Sequence, residues 1–170
     1  MDDLLDGQFY NPTKGSLSLP KVMEELICYM KEKPERNYEM IVGCDSSANE
    51  DPTFPVVVVM LRRGEGGRFF LKRIHYPERK FYNRHERILE EVMLSCKLAL
   101  WLRENFTARM KEEGANNLNY QFLYIHADVG ENGLTKDMVK EVAGLIRGNG
   151  FEPVVKPESF AASKVADRFS

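Results

Sequence analysis

Four acidic side chains in this 170-residue chain stand where solubility does not explain them. Asp45 ends the apolar run Tyr38-Glu39-Met40-Ile41-Val42-Gly43-Cys44, and Asp128 ends a second run from Tyr120 to Ala127. Glu91 falls at the edge of the face that Ile88, Val92, Ser95, Ala99 and Leu102 define at about 100° per residue, whereas Glu90 falls nearly opposite its centre. Asp167 lies in the Ala- and Ser-rich segment from Ser159 to Arg168. A carboxylate bordering a buried face is costly unless compensated, and Arg87 one turn before Glu91 or Lys164 just before Asp167 could compensate locally. Brought together, the four would repel one another strongly and make sense only around cations. Carboxylate oxygens select hard divalent ions, magnesium or manganese. Two of them about 4 Å apart would coordinate a scissile phosphate, activate water and stabilise the leaving oxygen. In that scheme Asp45 bridges both ions, Asp128 and Glu91 complete one coordination shell, and Asp167 holds the second ion.

The elements that must position these acids follow from hydrophobic periodicity and turn residues. Residues 1–19 read as an N-terminal arm that Phe9 and Tyr10 pin to the body. Ser18 and Pro20 open a helix with Val22, Leu26, Ile27 and Met30 on one face, stopped at Lys33-Pro34. Strands are expected over Tyr38–Asp45, Phe54–Leu61 and Arg68–Tyr76, the last two joined by a turn through Gly64, Gly66 and Gly67. A long helix from about Asn83 to Glu113 precedes the Tyr120–Asp128 strand. A helix from about Thr135 to Arg147, a short strand over Phe151–Val155 and a final helix capped by Ser159 complete the order. The expected fold is α/β: a mixed five-stranded sheet, three antiparallel strands then parallel ones, flanked by helices in one domain over residues 1–170. This is the ribonuclease H-like arrangement, in which the first and fourth strands lie parallel side by side and bring Asp45 and Asp128 to one rim.

The net charge of −2 conceals a basic stretch. Residues 62–87 carry nine Lys and Arg against three Glu, a local +6 that leaves −8 for the rest. Phe69, Phe70, Tyr76, Phe81 and Tyr82 are interleaved there, a combination that can hold a phosphate backbone and stack on bases. Arg62, Arg63, Lys72, Arg73 and, farther on, Lys156 are the candidate nucleic-acid contacts. The plainer reading is a solvated hairpin whose aromatics are core. Cys28, Cys44 and Cys96, widely spaced and without a Cys-x-x-Cys pair, indicate neither a disulfide framework nor a zinc site and read as reduced core residues. No apolar run approaches bilayer length and no leader pattern opens the chain, so a cytoplasmic location is expected. The Asp128–Gly133 loop lacks the bidentate Glu of a calcium loop, and Gly133-Leu134-Thr135-Lys136 reverses a P-loop ending, although its amides could still hold a phosphate. His126 shares a strand side with Asp128 but, without ligand spacing to His75 or His85, reads as a packed residue.

Three motifs together resemble the YkuK-type ribonuclease H-like family of small, largely uncharacterised proteins. They are Ile41-Val42-Gly43-Cys44-Asp45-Ser46; Ile125-His126-Ala127-Asp128-Val129-Gly130 with Asn132-Gly133-x-Thr135-Lys136; and Lys156-Pro157-x-Ser159-x-Ala161-Ala162-Ser163-x-x-Ala166-Asp167-Arg168. Cys44 and Ser47 depart from that family's usual Thr-Asp-Ser-Gln pattern and leave Asp45 in place. The resemblance implies a ribonuclease H-like fold and a metal-dependent nuclease with Asp45, Glu91, Asp128 and Asp167 as its acidic constellation. The activity expected is hydrolysis of RNA or an RNA/DNA hybrid with two magnesium or manganese ions. The alternative is a nucleic-acid-binding or assembly module that keeps the fold and does not cut.

Overall fold

The computed structural model describes residues 2–161, so Asp167 and the final helix beyond Ala161 lie outside the described residues. The chain order is β1 (Gln8–Asn11), β2 (Gly15–Ser18), α1 (Leu19–Glu32), β3 (Tyr38–Cys44), β4 (Thr53–Arg62), β5 (Gly66–His75), α2 (Arg84–Glu112) and β6 (Tyr120–His126). A short 3-10 turn (Lys136–Met138), α3 (Val139–Gly148) and β7 (Glu152–Val154) follow. The third helix therefore begins later than its sequence pattern suggested, because the chain first tightens through the 3-10 turn.

The sheet has seven strands, in the order β2-β1-β5-β4-β3-β6-β7, rather than the expected five. The two additional strands come from the N-terminal arm. Phe9 is fully buried, and the Asn11 side chain does the work of a turn: its Oδ1 accepts from the Thr13 and Lys14 amides, both at 2.8 Å, while its Nδ2 donates to Phe69 O at 2.9 Å. Gly15, at φ +75°, supplies the left-handed residue that closes the hairpin. Four-residue edge strands of this kind are a usual way to end a sheet without offering a long unpaired ladder.

β3, β4 and β5 are antiparallel, while β3, β6 and β7 are parallel. β3 is buried along all seven residues, which explains its nearly continuous apolar run. Met40, Val42 and Cys44 face the main core together with the apolar sides of the helices. Ile41, Val57, Val59 and Leu71 face the other side, where Phe69, Phe160 and Ala161 pack against them. The basic stretch proves to be largely core in its aromatics, since Phe70 and Phe81 are buried and only Tyr82 stands well out in solvent. Cys44 and Cys96 are buried as expected, but Cys28 is exposed, because it falls on the outer face of α1. Among the described residues no helix is long and apolar enough to cross a membrane.

Replacing Asn11 by Ala removes a partner from the part-buried Phe69 carbonyl and from the Thr13 and Lys14 amides, which costs about 1–3 kcal/mol. Urea unfolding of Asn11→Ala should show a lower midpoint with an unchanged slope; an unchanged midpoint would mean the hairpin is held by Phe9 alone.

Candidate active site

The β3–β6 register is what brings Asp45 and Asp128 together. Gly43 sits opposite His126 in the parallel pair, and each strand reaches its carboxylate two residues later. Asp45 remains tied to β4 through its amide, which donates to Pro55 O at 3.4 Å, and its Oδ1 accepts from the Ser46 amide at 2.8 Å. Ala127 is held to β7 by donation to Val154 O at 2.9 Å, which fixes the approach to Asp128. The third carboxylate comes from α2. Asn83 caps that helix by accepting from the Glu86 amide at 2.9 Å, and Glu86 in turn accepts from the Tyr82 amide at 2.9 Å. This fixed start sends Glu91 inward, where it is buried and accepts from Ser46 Oγ at 2.5 Å.

These three acids line one cleft of about 370 Å³, with Ser46 and Lys156 beside them, Arg84, Arg87 and Ile88 on the α2 wall, and Asn132 to Thr135 on the facing loop. The loop is closed by donation from the Gly130 amide to Thr135 Oγ1 at 3.1 Å. Lys156 is placed by its amide, which donates to Val129 O at 2.8 Å, and it passes so close to Gly130 that a Cβ there would lie 3.0 Å from Lys156 Cβ. A side chain at position 130 would therefore press on Lys156.

The cleft sets three carboxylates beside three basic side chains, Arg84, Arg87 and Lys156. Burial, then repulsion from Asp45 and Asp128, pushes the Glu91 carboxyl well above the ordinary carboxylate range, against the opposing effects of the Ser46 hydroxyl and Arg87. Asp128 Oδ1 is buried without a hydrogen bond, although Lys156 Nζ stands 3.2 Å away; the contact is one of charge, with directions that do not make it a hydrogen bond. Among the described residues no three side chains form a ready-made metal-binding group, and Asp167 lies outside them. The donors present are nonetheless hard carboxylate oxygens, one of them buried without a hydrogen bond, and they fit magnesium or manganese in type and in charge. The neighbouring soft and basic groups are otherwise engaged. Burial, followed by the charges of Glu91, Asp45 and Glu90, pushes the Cys44 thiol well up, so it stays protonated. Burial pulls His126 down to about 4, and its Nδ1 accepts from the Ala161 amide at 3.2 Å while Phe160 meets the ring edge-on at 4.8 Å. His126 thus pins the start of the C-terminal segment to the second face of the sheet.

The family model described as "Ribonuclease H-like" matches residues 21–170. The chain belongs to the ribonuclease H-like family. It is 28% identical over 169 residues to "Uncharacterized protein YkuK" of Bacillus subtilis (strain 168), covering 95% of this chain and 96% of that protein. Membership is thus of the YkuK type, as the three motifs implied. No solved structure matches the chain.

Within this ribonuclease H-like frame the expected basic contacts scatter. Arg62 is buried: its Nη2 donates to Tyr29 O at 2.7 Å, its Nε to Tyr38 Oη at 3.0 Å, and its guanidinium covers the Tyr29 ring at 4.0 Å. Arg63 pairs with Glu39. Both sit where β4 pairs with the start of β3, the opposite end of the sheet from Asp45, a strand length of roughly 20 Å away. Lys72 is paired with Asp3 at 3.5 Å, and Arg73 is exposed on β5. Of the five, only Lys156 lines the cleft. Glu90, expected in solvent, instead accepts from Tyr76 Oη at 2.7 Å and from Arg79 Nη1 at 2.9 Å.

The cleft's own cations, Arg84 and Arg87, were not singled out as contacts in the sequence. Their signal was available, since they precede Glu91 by seven and four residues and so share its side of the helix. Ser46 could have been found in the same way, as the residue that follows the strand-end acid. Removing Arg62 should therefore affect folding more than binding. Arg62→Ala is expected to lose about 2–3 kcal/mol in urea unfolding while the folded variant keeps wild-type affinity for nucleic acid. Lost affinity at unchanged stability would return Arg62 to the binding surface.

Proposed function

We propose that the cleft is the active site of a divalent-metal-dependent nuclease that hydrolyses phosphodiester bonds in RNA or an RNA-containing duplex. The observation that carries this reading is the convergence of Asp45, Glu91 and Asp128, from two parallel strands and the long helix, on one cleft that also holds Arg84, Arg87 and Lys156. Asp45, Glu91 and Asp128 would hold the cations, with Asp167 as a fourth ligand. The chemistry that a pair of magnesium or manganese ions supplies there is charge neutralisation at a phosphate and a lowered pKa for water.

The chain's own groups prepare that chemistry. The Ser46 amide fixes one oxygen of Asp45, leaving the carboxylate oriented. The Ser46 hydroxyl holds Glu91 toward the same point, so one residue aligns two acids. Lys156 places an ammonium against Asp128 and, with Arg84 and Arg87, favours an anionic substrate in a cleft that also holds three carboxylates. That contact also favours a second reading, a nucleic-acid-binding module that does not cut, because Lys156 already answers part of the negative charge.

Labelled RNA, DNA and RNA/DNA hybrid incubated with magnesium or manganese separate the two. The nuclease reading expects wild-type protein to cleave an RNA-containing substrate and Asp45→Asn to be slower by about a thousandfold, the equivalent of roughly 4 kcal/mol of lost transition-state stabilisation. Equal cleavage by both proteins would remove Asp45 from the chemistry. Binding without product under every metal would leave the non-cutting module.

A further inference from the structure

α2 carries two arginines into the cleft; Arg87 acts on Glu91 through its charge alone, and no ion-pair contact ties either arginine to the acids across from it. Among the described residues the side chains of Arg84 and Arg87 have no ion-pair or hydrogen-bond contact, although both line the cavity with Asp45, Glu91 and Asp128. The neighbouring acids on α2 cannot serve them. Glu86 is occupied in closing the helix start, and Glu90 is held by Tyr76 and Arg79 on another face. Other arginines of the chain do find carboxylate partners, as Arg36 does with Glu65 and Arg109 with Glu24 and Glu113. Two free guanidiniums inside an acidic cleft are thus available to a ligand that carries its own negative charge, and their planar forks match phosphate oxygens.

Their spacing is that of a track. At 1.5 Å per residue, Arg87 lies about 6 Å and Arg84 about 10 Å along the helix axis from Glu91, on the same side. The facing wall, Asn132 to Thr135, runs beside them and carries Leu134, 82% exposed, at the mouth. Leu134 gives apolar surface to sugars or bases, and the arginines give charge to the backbone.

We infer that Arg87 and Arg84 bind successive backbone phosphates of a nucleic-acid strand and lead it along the first two turns of α2 to the carboxylates. The inference rests on the nuclease reading for what happens at the end of the track, but the track itself is a statement about binding. It places the nucleic-acid contacts at the Asp45 end of the sheet, opposite Arg62 and Arg63.

The test is the salt dependence of binding to a short labelled single-stranded RNA in magnesium, with product measured in the same samples. Each phosphate contact on a single strand contributes about 0.7 to the slope of log affinity against log salt. The Arg84→Gln/Arg87→Gln variant should therefore bind with a slope shallower by about 1.4. Between 50 and 200 mM salt, wild-type affinity should fall about sevenfold more than the variant's. Arg84→Lys/Arg87→Lys should retain the steep slope, and Lys111→Gln/Lys140→Gln, the same charge change made outside the cleft, should match wild type. An equal slope in wild type and the Arg84→Gln/Arg87→Gln variant overturns the track even if wild type cleaves, and so does a failure of wild type to bind. A shallower slope supports the track even if no product forms, in which case the nuclease reading alone falls.

Discussion

Parallel pairing of β3 with β6 sets Gly43 against His126, and two residues beyond each the chain turns out of the sheet with a carboxylate. A shift of one residue in that register would separate Asp45 from Asp128 and turn the alternating faces of both strands over. The register is protected by burial: β3 has no exposed residue, and its two faces belong to different apolar clusters. Glu91 then depends on the strands, since it is held by Ser46, which follows Asp45 directly. The cleft is therefore a consequence of sheet packing rather than of loop choice.

The two ends of this sheet use charge in different ways. At the start of β3, Arg62 is enclosed by Tyr29 and Tyr38, and Arg63 offsets the buried Glu39, so positive charge there serves the fold. At the far end the carboxylates lack full compensation, and the burial that lifts Glu91 makes their proximity more costly still. Charge at the first end is paired within the fold, whereas at the cleft the Arg84 and Arg87 side chains have no ion-pair contact among the described residues. That polarity favours a site prepared for cations and an anionic strand.

Much of this was legible in the sequence, for reasons that can be named. β3 and β4 are buried apolar runs ended by turn residues, β6 is an apolar run buried at its Ile125-His126 end, and α2 has an uninterrupted helical face with an Asn83 start, so local pattern and tertiary position agree. Asp45, Glu91 and Asp128 stood out because each interrupts an apolar pattern at its edge. β1 and β2 were not legible as strands, because four-residue segments hold little periodicity and their stability comes from Phe9 and Asn11 reaching distant partners. The basic stretch misled in detail, since a count of Lys and Arg over residues 62–87 cannot tell that Arg62 folds inward at one end of β4 while Arg84 and Arg87 emerge at the other end of the sheet. Glu90 defeated a helical-wheel argument because Tyr76 and Arg79 arrive from the preceding loop to meet it.

The central claim is that these acids are arranged for divalent cations. Calorimetric titration of magnesium and of manganese into wild-type protein, repeated with Glu91→Gln, tests it most directly. The account predicts saturable heat and a thermal midpoint that rises with metal in wild type, as linkage requires of a ligand bound only by the folded state, with both effects strongly reduced in the variant. No heat and no change in midpoint with either metal, or identical titrations for the two proteins, would contradict it.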